Sequence, residues 1–212
     1  MTTLLRPTEP PPATAPTSTR RLSSGLVFLR QFFRQPAVLG SPFPSNPRVS
    51  RALIDQLDLE GASAVAELGP GSGVVTRLIR RRLAPGAAFF AVERNERLAR
   101  TLQREMPGVP ILHDDAGNVG AIMRARGIAA LDCVVSSLPW LLFGPELQGR
   151  LLREAAGALR PGGGFSMVTY RNPAMASVRA FRGRMEGVFG RVWLERVVWS
   201  AFPPASIYYA TR

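Results

Sequence analysis

Hydrophobic positions along the chain follow two periods, one typical of buried strands and one typical of amphipathic helices. Apolar runs rich in β-branched and aromatic residues predict strands at 63–68, 87–93, 109–113, 131–137 and 164–170. The segments between and around them repeat apolar residues every three or four positions, which predicts helices at 46–59, 74–84, 95–106, 117–127, 145–160 and 173–189. Strands that are apolar at nearly every position are buried on both faces, so we expect a parallel sheet covered by helices on both sides.

The end of the chain departs from this alternation. Two further strands are predicted at 191–200 and 205–211, joined by only a few residues that include Pro203 and Pro204. So short a link makes the two strands antiparallel partners. The expected fold is therefore α/β, with a seven-stranded, mostly parallel sheet whose last strand is antiparallel.

The amino-terminal part is predicted to differ from the domain at 46–212. Residues 1–19 are dense in Pro, Thr and Ala, which predicts a disordered tail, and residues 20–45 contain an amphipathic basic helix. Such a helix either packs on the core or lies in the headgroup layer of a membrane. We favour the second interpretation, in which it also covers the cofactor site as a lid. The residues assigned to the membrane surface are Leu26, Phe28, Leu29, Arg30, Phe32, Phe33 and Arg34.

The charge of the chain supports an anionic partner. All 27 cationic side chains are Arg, against 15 acidic residues, and the net charge is +12. The excess lies at the two ends: residues 1–51 hold seven Arg and one acid, and residues 171–212 hold seven Arg and two acids. Guanidinium groups pair well with phosphate. The lone Cys133 and lone His113 exclude disulfide frameworks and most Cys or His metal sites, so no metal is expected.

A glycine-rich turn joins the first predicted strand to the next helix, at Gly69-Pro70-Gly71-Ser72-Gly73. Glycines there let the backbone approach a ligand closely, and the helix amino end adds N–H donors. Glu93 ends the next strand twenty residues after Gly73, where a carboxylate can accept hydrogen bonds from a ribose diol. Two features oppose a nicotinamide dinucleotide: the glycine spacing is one residue short, and the carboxylate of Glu67 suits an ammonium group better than a pyrophosphate.

These segments resemble, in order, the motifs of class I S-adenosylmethionine-dependent methyltransferases, over about residues 40–212. The resemblance implies a Rossmann-like fold and S-adenosyl-L-methionine as the cofactor. It also implies that Glu67 and the turn hold the methionine part, that Glu93 binds the ribose and that Asp115 meets the adenine. Asp114 and Asp115 equally suit a helix amino-terminal cap. The full set of cofactor residues is Glu67, Gly69, Gly71, Gly73, Glu93, Asp115, Ala116 and Ser136, the last beside the sulfonium.

The turn Ser136-Ser137-Leu138-Pro139-Trp140 occupies the place where amino-group methyltransferases have a sequence similar to Asn-Leu-Pro-Tyr or Asp-Pro-Pro-Tyr. By that resemblance Ser137 takes the Asn position, Leu138 and Pro139 contact the substrate, and Trp140 supplies the aromatic ring. Loss of the amide weakens recognition of a flat adenine amino group, whereas an indole face attracts a tetrahedral ammonium. The alternative is that Trp140 packs into the core.

Residues 40–53, the Ser136–Trp140 turn and residues 202–209 together resemble the small bacterial phospholipid N-methyltransferases. The resemblance implies stepwise methylation of phosphatidylethanolamine, through mono- and dimethylated derivatives, to phosphatidylcholine. It implies a cytoplasmic enzyme held peripherally on the anionic inner face of the cell membrane, without nucleic acid. Two alternatives remain: a ribosomal RNA adenine N6-dimethyltransferase, disfavoured by Ser137 and by the lack of a carboxy-terminal RNA-binding module, and a non-catalytic membrane-binding Rossmann-like protein.

The substrate amine must lose a proton before it accepts a methyl group. Tyr170, Ser137 and His113 are the candidate acceptors, and His113 is the weakest because it precedes the adenine-side aspartates. Arg171, next to Tyr170, is the candidate for binding the headgroup phosphate. Ser137, Trp140 and Tyr170 are therefore the predicted catalytic residues. The apolar stripe of the helix near 174–190 predicts either packing on the sheet or an acyl-chain groove.

Overall fold

The computed structural model describes residues 46–201 and 204–212. Seven strands form one sheet in the order β3-β2-β1-β4-β5-β7-β6. The strands are β1 (Ala64–Leu68), β2 (Ala88–Glu93), β3 (Ile111–His113), β4 (Leu131–Ser136), β5 (Leu159–Thr169), β6 (Arg191–Val198) and β7 (Ala205–Thr211). The helices are α1 (Pro47–Ala52), α2 (Val74–Arg82), α3 (Glu96–Glu105), α4 (Val119–Ala125), α5 (Pro145–Ala158) and α6 (Ala176–Glu186). Two 3-10 turns, Ala116–Asn118 and Trp140–Leu142, precede α4 and α5.

Strand directions confirm the predicted sheet. Strands β1 to β5 pair in parallel. Strand β7 is antiparallel to both of its neighbours, β5 and β6. The carboxyl ends of β1 to β5, the carboxyl end of β6 and the amino end of β7 therefore lie at one edge of the sheet.

Two hydrophobic layers cover the sheet. Alternate strand residues face opposite sides, so that Val65 belongs to one cluster with α1, α2 and α3, while its neighbour Ala66 belongs to the other with α4, α5 and α6. Leu53 and Ile79 are fully buried in the first layer, and Leu152 is fully buried in the second. This double burial explains why the strand sequences are apolar at nearly every position.

The predicted helix 46–59 is wrong in its length, because regular α-helix ends at Ala52. In a longer helix the N–H of Gln56 would bond to the carbonyl of Ala52. Instead, the Tyr209 hydroxyl donates to the Ala52 carbonyl at 2.6 Å and accepts the Gln56 N–H at 3.2 Å. A side chain 157 positions away therefore takes both partners of the next helical hydrogen bond. Strand β5 begins at Leu159, five residues before the predicted 164, so the last two residues of the predicted helix 145–160 are strand. Other boundaries differ by up to three residues, as element ends usually do.

The predicted tail at 1–19 and the amphipathic helix at 20–45, with its membrane set from Leu26 to Arg34, lie outside the described residues. Among the helices that the structure describes, none has the length and apolar character needed to cross a bilayer.

Candidate active site

The predicted site residues come from the ends of five strands at the carboxyl edge of the parallel sheet, with Tyr170 and Arg171 following β5. The glycine-rich turn follows β1, Glu93 ends β2, Asp115 follows β3, and the Ser136–Trp140 turn follows β4. In open α/β sheets this edge is where ligands bind.

The glycine-rich turn adopts a backbone that requires glycine. Gly69, Gly71 and Gly73 have φ angles of 76°, 53° and 76°, in the left-handed region. A Cβ atom at Gly69 would lie 3.0 Å from the Leu138 side chain, and one at Gly73 would clash with Leu102. The turn therefore brings bare backbone close to the ends of β1 and β4, and α2 begins directly behind it.

Glu93 holds this turn in place and can still accept hydrogen bonds from a ligand. Its side chain is 3% exposed, one carboxylate oxygen accepts the N–H of Gly71 at 3.1 Å, and the other accepts the N–H of Asn95 at 2.8 Å. Burial raises the pKa of Glu93, and these backbone hydrogen bonds and the charge of His113 act in the opposite direction. A carboxylate offers about four lone-pair positions, so ribose hydroxyls could still donate to it.

Glu67 is completely buried near the end of β1. Neither carboxylate oxygen has a hydrogen-bond partner among the described residues. Burial raises its pKa to about 8, the charge of Glu93 adds to this, and the hydroxyl of Thr76 acts in the opposite direction. An unpaired buried carboxylate is costly unless a cation reaches it. Glu67 therefore offers the site a carboxylate with which an ammonium group could pair.

A narrow cavity of about 40 Å³ lies between Glu93 and Asp115. Asp115 has two roles, because one oxygen accepts the N–H of Gly117 at 2.8 Å as a cap while the residue also lines the cavity with Ala116. The opposite wall is apolar and was not identified from the sequence: it consists of Phe143, Leu147 and Leu151. Their four-residue spacing at the start of α5 is the signal that could have indicated them.

These features fit S-adenosylmethionine. Glu67 would take the methionine ammonium, Glu93 the ribose hydroxyls, and the apolar wall with Asp115 the flat adenine. Ser136, at the end of β4, and Gly71, in the glycine-rich turn, are both buried where the sulfonium and the methionine part would lie. Within the described residues, no cluster of three or more His, Cys, Asp or Glu side chains could hold a metal ion.

A second cavity, of about 170 Å³, adjoins the first through the shared residues Leu138 and Pro139. It is lined by 137–142 after β4 and by 168–171 at the end of β5. The Ser137 and Tyr170 hydroxyls lack hydrogen-bond partners among the described residues. Arg171 is exposed at the margin. The cavity is thus lined by apolar side chains, by two residues whose buried hydroxyls are unpaired among the described residues, and by one cation.

Trp140 is more deeply packed than a substrate-binding ring needs to be. It is 1% exposed, and its indole N–H donates to Ser136 Oγ at 3.0 Å. The centres of the Phe181 and Phe165 rings lie 5.5 Å and 6.1 Å from its own. This geometry favours the core-packing alternative over a cation–π role, because aromatic neighbours surround the ring and little of it reaches the cavity.

The candidate proton acceptors differ in position. Burial raises the pKa of Tyr170, so its phenol stays neutral at ordinary pH. His113 is exposed at the end of β3 and lines a different surface groove, with Arg97 and Arg104. It does not line the cavity that holds Ser137 and Tyr170.

The apolar stripe of α6 packs on the sheet, since Val178, Phe181 and Met185 are all buried there. This arrangement favours the packing alternative for that helix over an acyl-chain groove.

Comparisons with known proteins agree with this geometry. Over 146 residues the chain is 34% identical to an ornithine lipid N-methyltransferase of Singulisphaera acidiphila, covering 68% of this chain and 76% of that protein. It is 34% identical over 123 residues to ribosomal RNA small subunit methyltransferase A of Myxococcus xanthus, covering 57% of this chain and 41% of the relative. An O-methyltransferase from Bacillus cereus in complex with SAH has a TM-score of 0.65 at 15% identity, over 89% of this chain and 91% of that one. No protein-family model matches. The structural likeness concerns the fold and confirms the predicted Rossmann-like methyltransferase architecture.

Proposed function

The chain is an S-adenosylmethionine-dependent methyltransferase of the family that includes the ornithine lipid N-methyltransferase of Singulisphaera acidiphila, and from this we propose that it methylates the primary amine of the phosphatidylethanolamine headgroup. The products are the mono-, di- and trimethylated headgroups. We place the reaction at the inner face of the cell membrane, with residues 20–45 as the membrane-binding segment.

The observation that carries this proposal is the cavity beside the cofactor site. The buried hydroxyls of Ser137 and Tyr170 have no partner among the described residues, and both residues line it. Hydroxyl oxygens accept hydrogen bonds from an amine without requiring a planar group. Arg171 at the margin supplies a guanidinium for the anion that follows the amine in the headgroup.

The residues of the cavity orient the amine. When bound, the cofactor supplies a methyl group activated on a positively charged sulfur. The Ser137 and Tyr170 oxygens accept N–H bonds and direct the nitrogen lone pair toward the cofactor side, so alignment provides most of the rate enhancement. The Leu138 carbonyl can also accept a hydrogen bond from the amine, although it already accepts the backbone N–H of Trp140 at 2.8 Å. Among the described residues, no acid or histidine lines this cavity, and we infer that the proton of the substrate ammonium leaves to water.

An ornithine lipid is the second candidate substrate, favoured by the Singulisphaera relative. Its headgroup shares the chemistry that the cavity would recognise, a primary amine a few bonds away from an anion. The anion is a carboxylate instead of a phosphate, and Arg171 can pair with either. The two headgroups differ in the number of bonds between the amine and the anion.

The test compares substrates for the purified full-length chain supplied with methyl-labelled cofactor. We expect label in phosphatidylethanolamine presented in anionic vesicles, and none in ribosomal RNA. Label in ornithine lipid alone would replace the proposed substrate with the second candidate. Label in ribosomal RNA with inert lipids would overturn the lipid assignment.

Variants of the cavity make the test specific. Ser137→Ala and Tyr170→Phe should each lower kcat/KM for the lipid about tenfold to a hundredfold, because each removes a hydrogen bond to a charged or charge-developing group. Cofactor affinity should be unchanged. Ser166→Ala is the matched control, since it also removes a buried hydroxyl without a partner in the described part of the chain but does not line the cavity.

A further inference from the structure

Two large apolar side chains are exposed among the described residues, and both lie at the sheet edge that carries the candidate active site. Trp199 is 74% exposed and Met175 is 42% exposed. Trp199 directly follows β6, in a turn closed by a 3.2 Å hydrogen bond from the N–H of Ala201 to the carbonyl of Val198. Met175 is the amino-terminal cap residue of α6, which follows β5. Large apolar side chains exposed at one edge of a protein are candidates for a contact surface.

Hydrogen bonds join these positions into one continuous margin. The Ser206 hydroxyl, at the start of β7, donates to the carbonyl of Arg171 at 3.2 Å. On the other side of the β6–β7 turn, the Asn46 amide donates to the carbonyl of Ser200 at 3.0 Å. The loop after β5, the turn after β6 and the start of α1 are therefore neighbours. We call Arg48, Arg171, Met175 and Trp199 the docking rim.

The segments that form this margin carry arginines and no acidic residues. Residues 46–51, 170–180 and 199–206 contain four Arg and no Asp or Glu. Arg48 and Arg171 are exposed, and neither forms an ion pair with another described residue. Such a surface is complementary to an anionic one.

The chain outside the described part is attached at the same margin. Residues 1–45 join the described fold at Asn46, which is bonded to the turn that carries Trp199. Those 45 residues contain five Arg and one Glu. The point of attachment of this basic segment thus lies next to the docking rim.

We propose that the docking rim rests on an anionic lipid bilayer, with Trp199 in the headgroup layer and Arg48 over lipid phosphates. This inference rests on the lipid substrate proposed above, because the cavity of Ser137 and Tyr170 lies at the same edge and would face the membrane. Indole rings prefer the boundary between membrane and water. Each arginine near an anionic surface adds about a fivefold gain in partitioning.

The test measures partitioning of the full-length chain onto vesicles of phosphatidylglycerol and phosphatidylcholine, which contain no primary amine. Trp199→Ala should weaken partitioning about tenfold, since burial of about 55 Å² of indole is lost. Arg48→Glu should weaken it by a similar factor, and only this variant should lose most of its defect at high salt. The matched control is Arg81→Glu, at the carboxyl end of α2 on the opposite edge of the sheet. Arg81 is exposed and forms no ion pair with another described residue, so this variant should change partitioning less than twofold.

Fluorescence locates the indole directly. Trp140 is buried and Trp193 is half-buried, so the signal absent from Trp199→Phe belongs to Trp199. Its emission should shift to shorter wavelength on adding vesicles, and lipids brominated near the headgroup should quench it. Emission of a buried indole before vesicles are added would overturn the proposal, because residues 1–45 or a second copy of the chain would then cover the rim.

A second substrate form separates this inference from the proposed function. On short-chain phosphatidylethanolamine below its micelle concentration, Trp199→Ala and Arg48→Glu should match the wild type, while their turnover on vesicles falls with their partitioning. If the wild type methylates neither form, the proposed function fails, and the vesicle data still decide the role of the rim. The proposal would be overturned if both variants partition onto vesicles like the wild type. It would also be overturned if they lose only RNA binding.

Discussion

Replacing the buried Glu67 with Gln tests the cofactor site through the pH dependence of stability. In the folded, cofactor-free chain the pKa of Glu67 is about 8, against its ordinary value of 4.5. Below pH 4.5 the group is protonated in both the folded and the unfolded chain and has no effect. Between pH 4.5 and about 8 the unfolded chain loses the proton first, so the folded state becomes progressively less stable.

The size of this effect follows from the shift. Each pKa unit corresponds to about 1.4 kcal/mol, so ionisable Glu67 destabilises the cofactor-free fold by up to about 5 kcal/mol above pH 8. Glu67→Gln keeps the shape and removes the titration. We therefore expect the variant to be more stable than the wild type at pH 8 to 9 by about 2–5 kcal/mol, and nearly equal to it at pH 5.

Cofactor binding should change in the opposite direction. An ammonium group beside Glu67 favours the carboxylate, so wild-type binding releases a proton and its affinity rises with pH up to about 8. Glu67→Gln should bind about tenfold to a hundredfold more weakly, through loss of a charge-assisted hydrogen bond, and should lose this pH dependence.

The assay is urea unfolding at pH 5 to 9 together with calorimetric titration of the cofactor. Glu146→Gln, an exposed carboxylate in the first turn of α5, is the control and should leave both measurements unchanged. A Glu67→Gln chain that is less stable than the wild type at pH 9, or that binds the cofactor normally, would refute the reasoning.

Three further predictions follow from other parts of the molecule. Glu93→Ala should weaken cofactor binding by about 1–3 kcal/mol and also loosen the glycine-rich turn, which calorimetry and amide exchange at Gly71 would detect. Tyr209→Phe should lower the free energy of unfolding by about 1–3 kcal/mol, measured in urea, because two backbone groups at the end of α1 lose their partner. Phe32→Asp with Phe33→Asp should abolish vesicle flotation while leaving cofactor affinity intact; unchanged flotation would remove residues 20–45 from the membrane-binding surface.

The sequence was sufficient for the parts of the fold governed by local pattern. Continuous apolar runs predicted the parallel strands because both faces of the sheet are covered, and the short link before β7 predicted the reversed strand. Glu93 could be assigned to the ligand-binding edge because it ends a predicted strand, and Glu67 lies one residue before the end of another. The cofactor roles of Glu67 and Asp115 came from the resemblance to class I methyltransferases.

Features that depend on distant contacts could not be predicted in this way. The packing of Trp140 depends on Phe165 and Phe181, which come from other elements. The early end of α1 depends on a hydroxyl from β7. In both cases the local sequence permits two conformations, and the tertiary neighbours determine which one forms.

Leu138 is a partition between two chambers. It touches the small cavity beside Glu93 and the larger one beside Tyr170, and its side chain stands 3.0 Å from the place where Gly69 would carry a Cβ atom. Leu138→Ala would shorten this partition and widen the opening between the two cavities, where the proposed function has the transferred group cross from donor to acceptor. Synthetic donors carrying ethyl or allyl in place of methyl should then become usable, so that one leucine sets the range of alkyl groups that the enzyme can deliver.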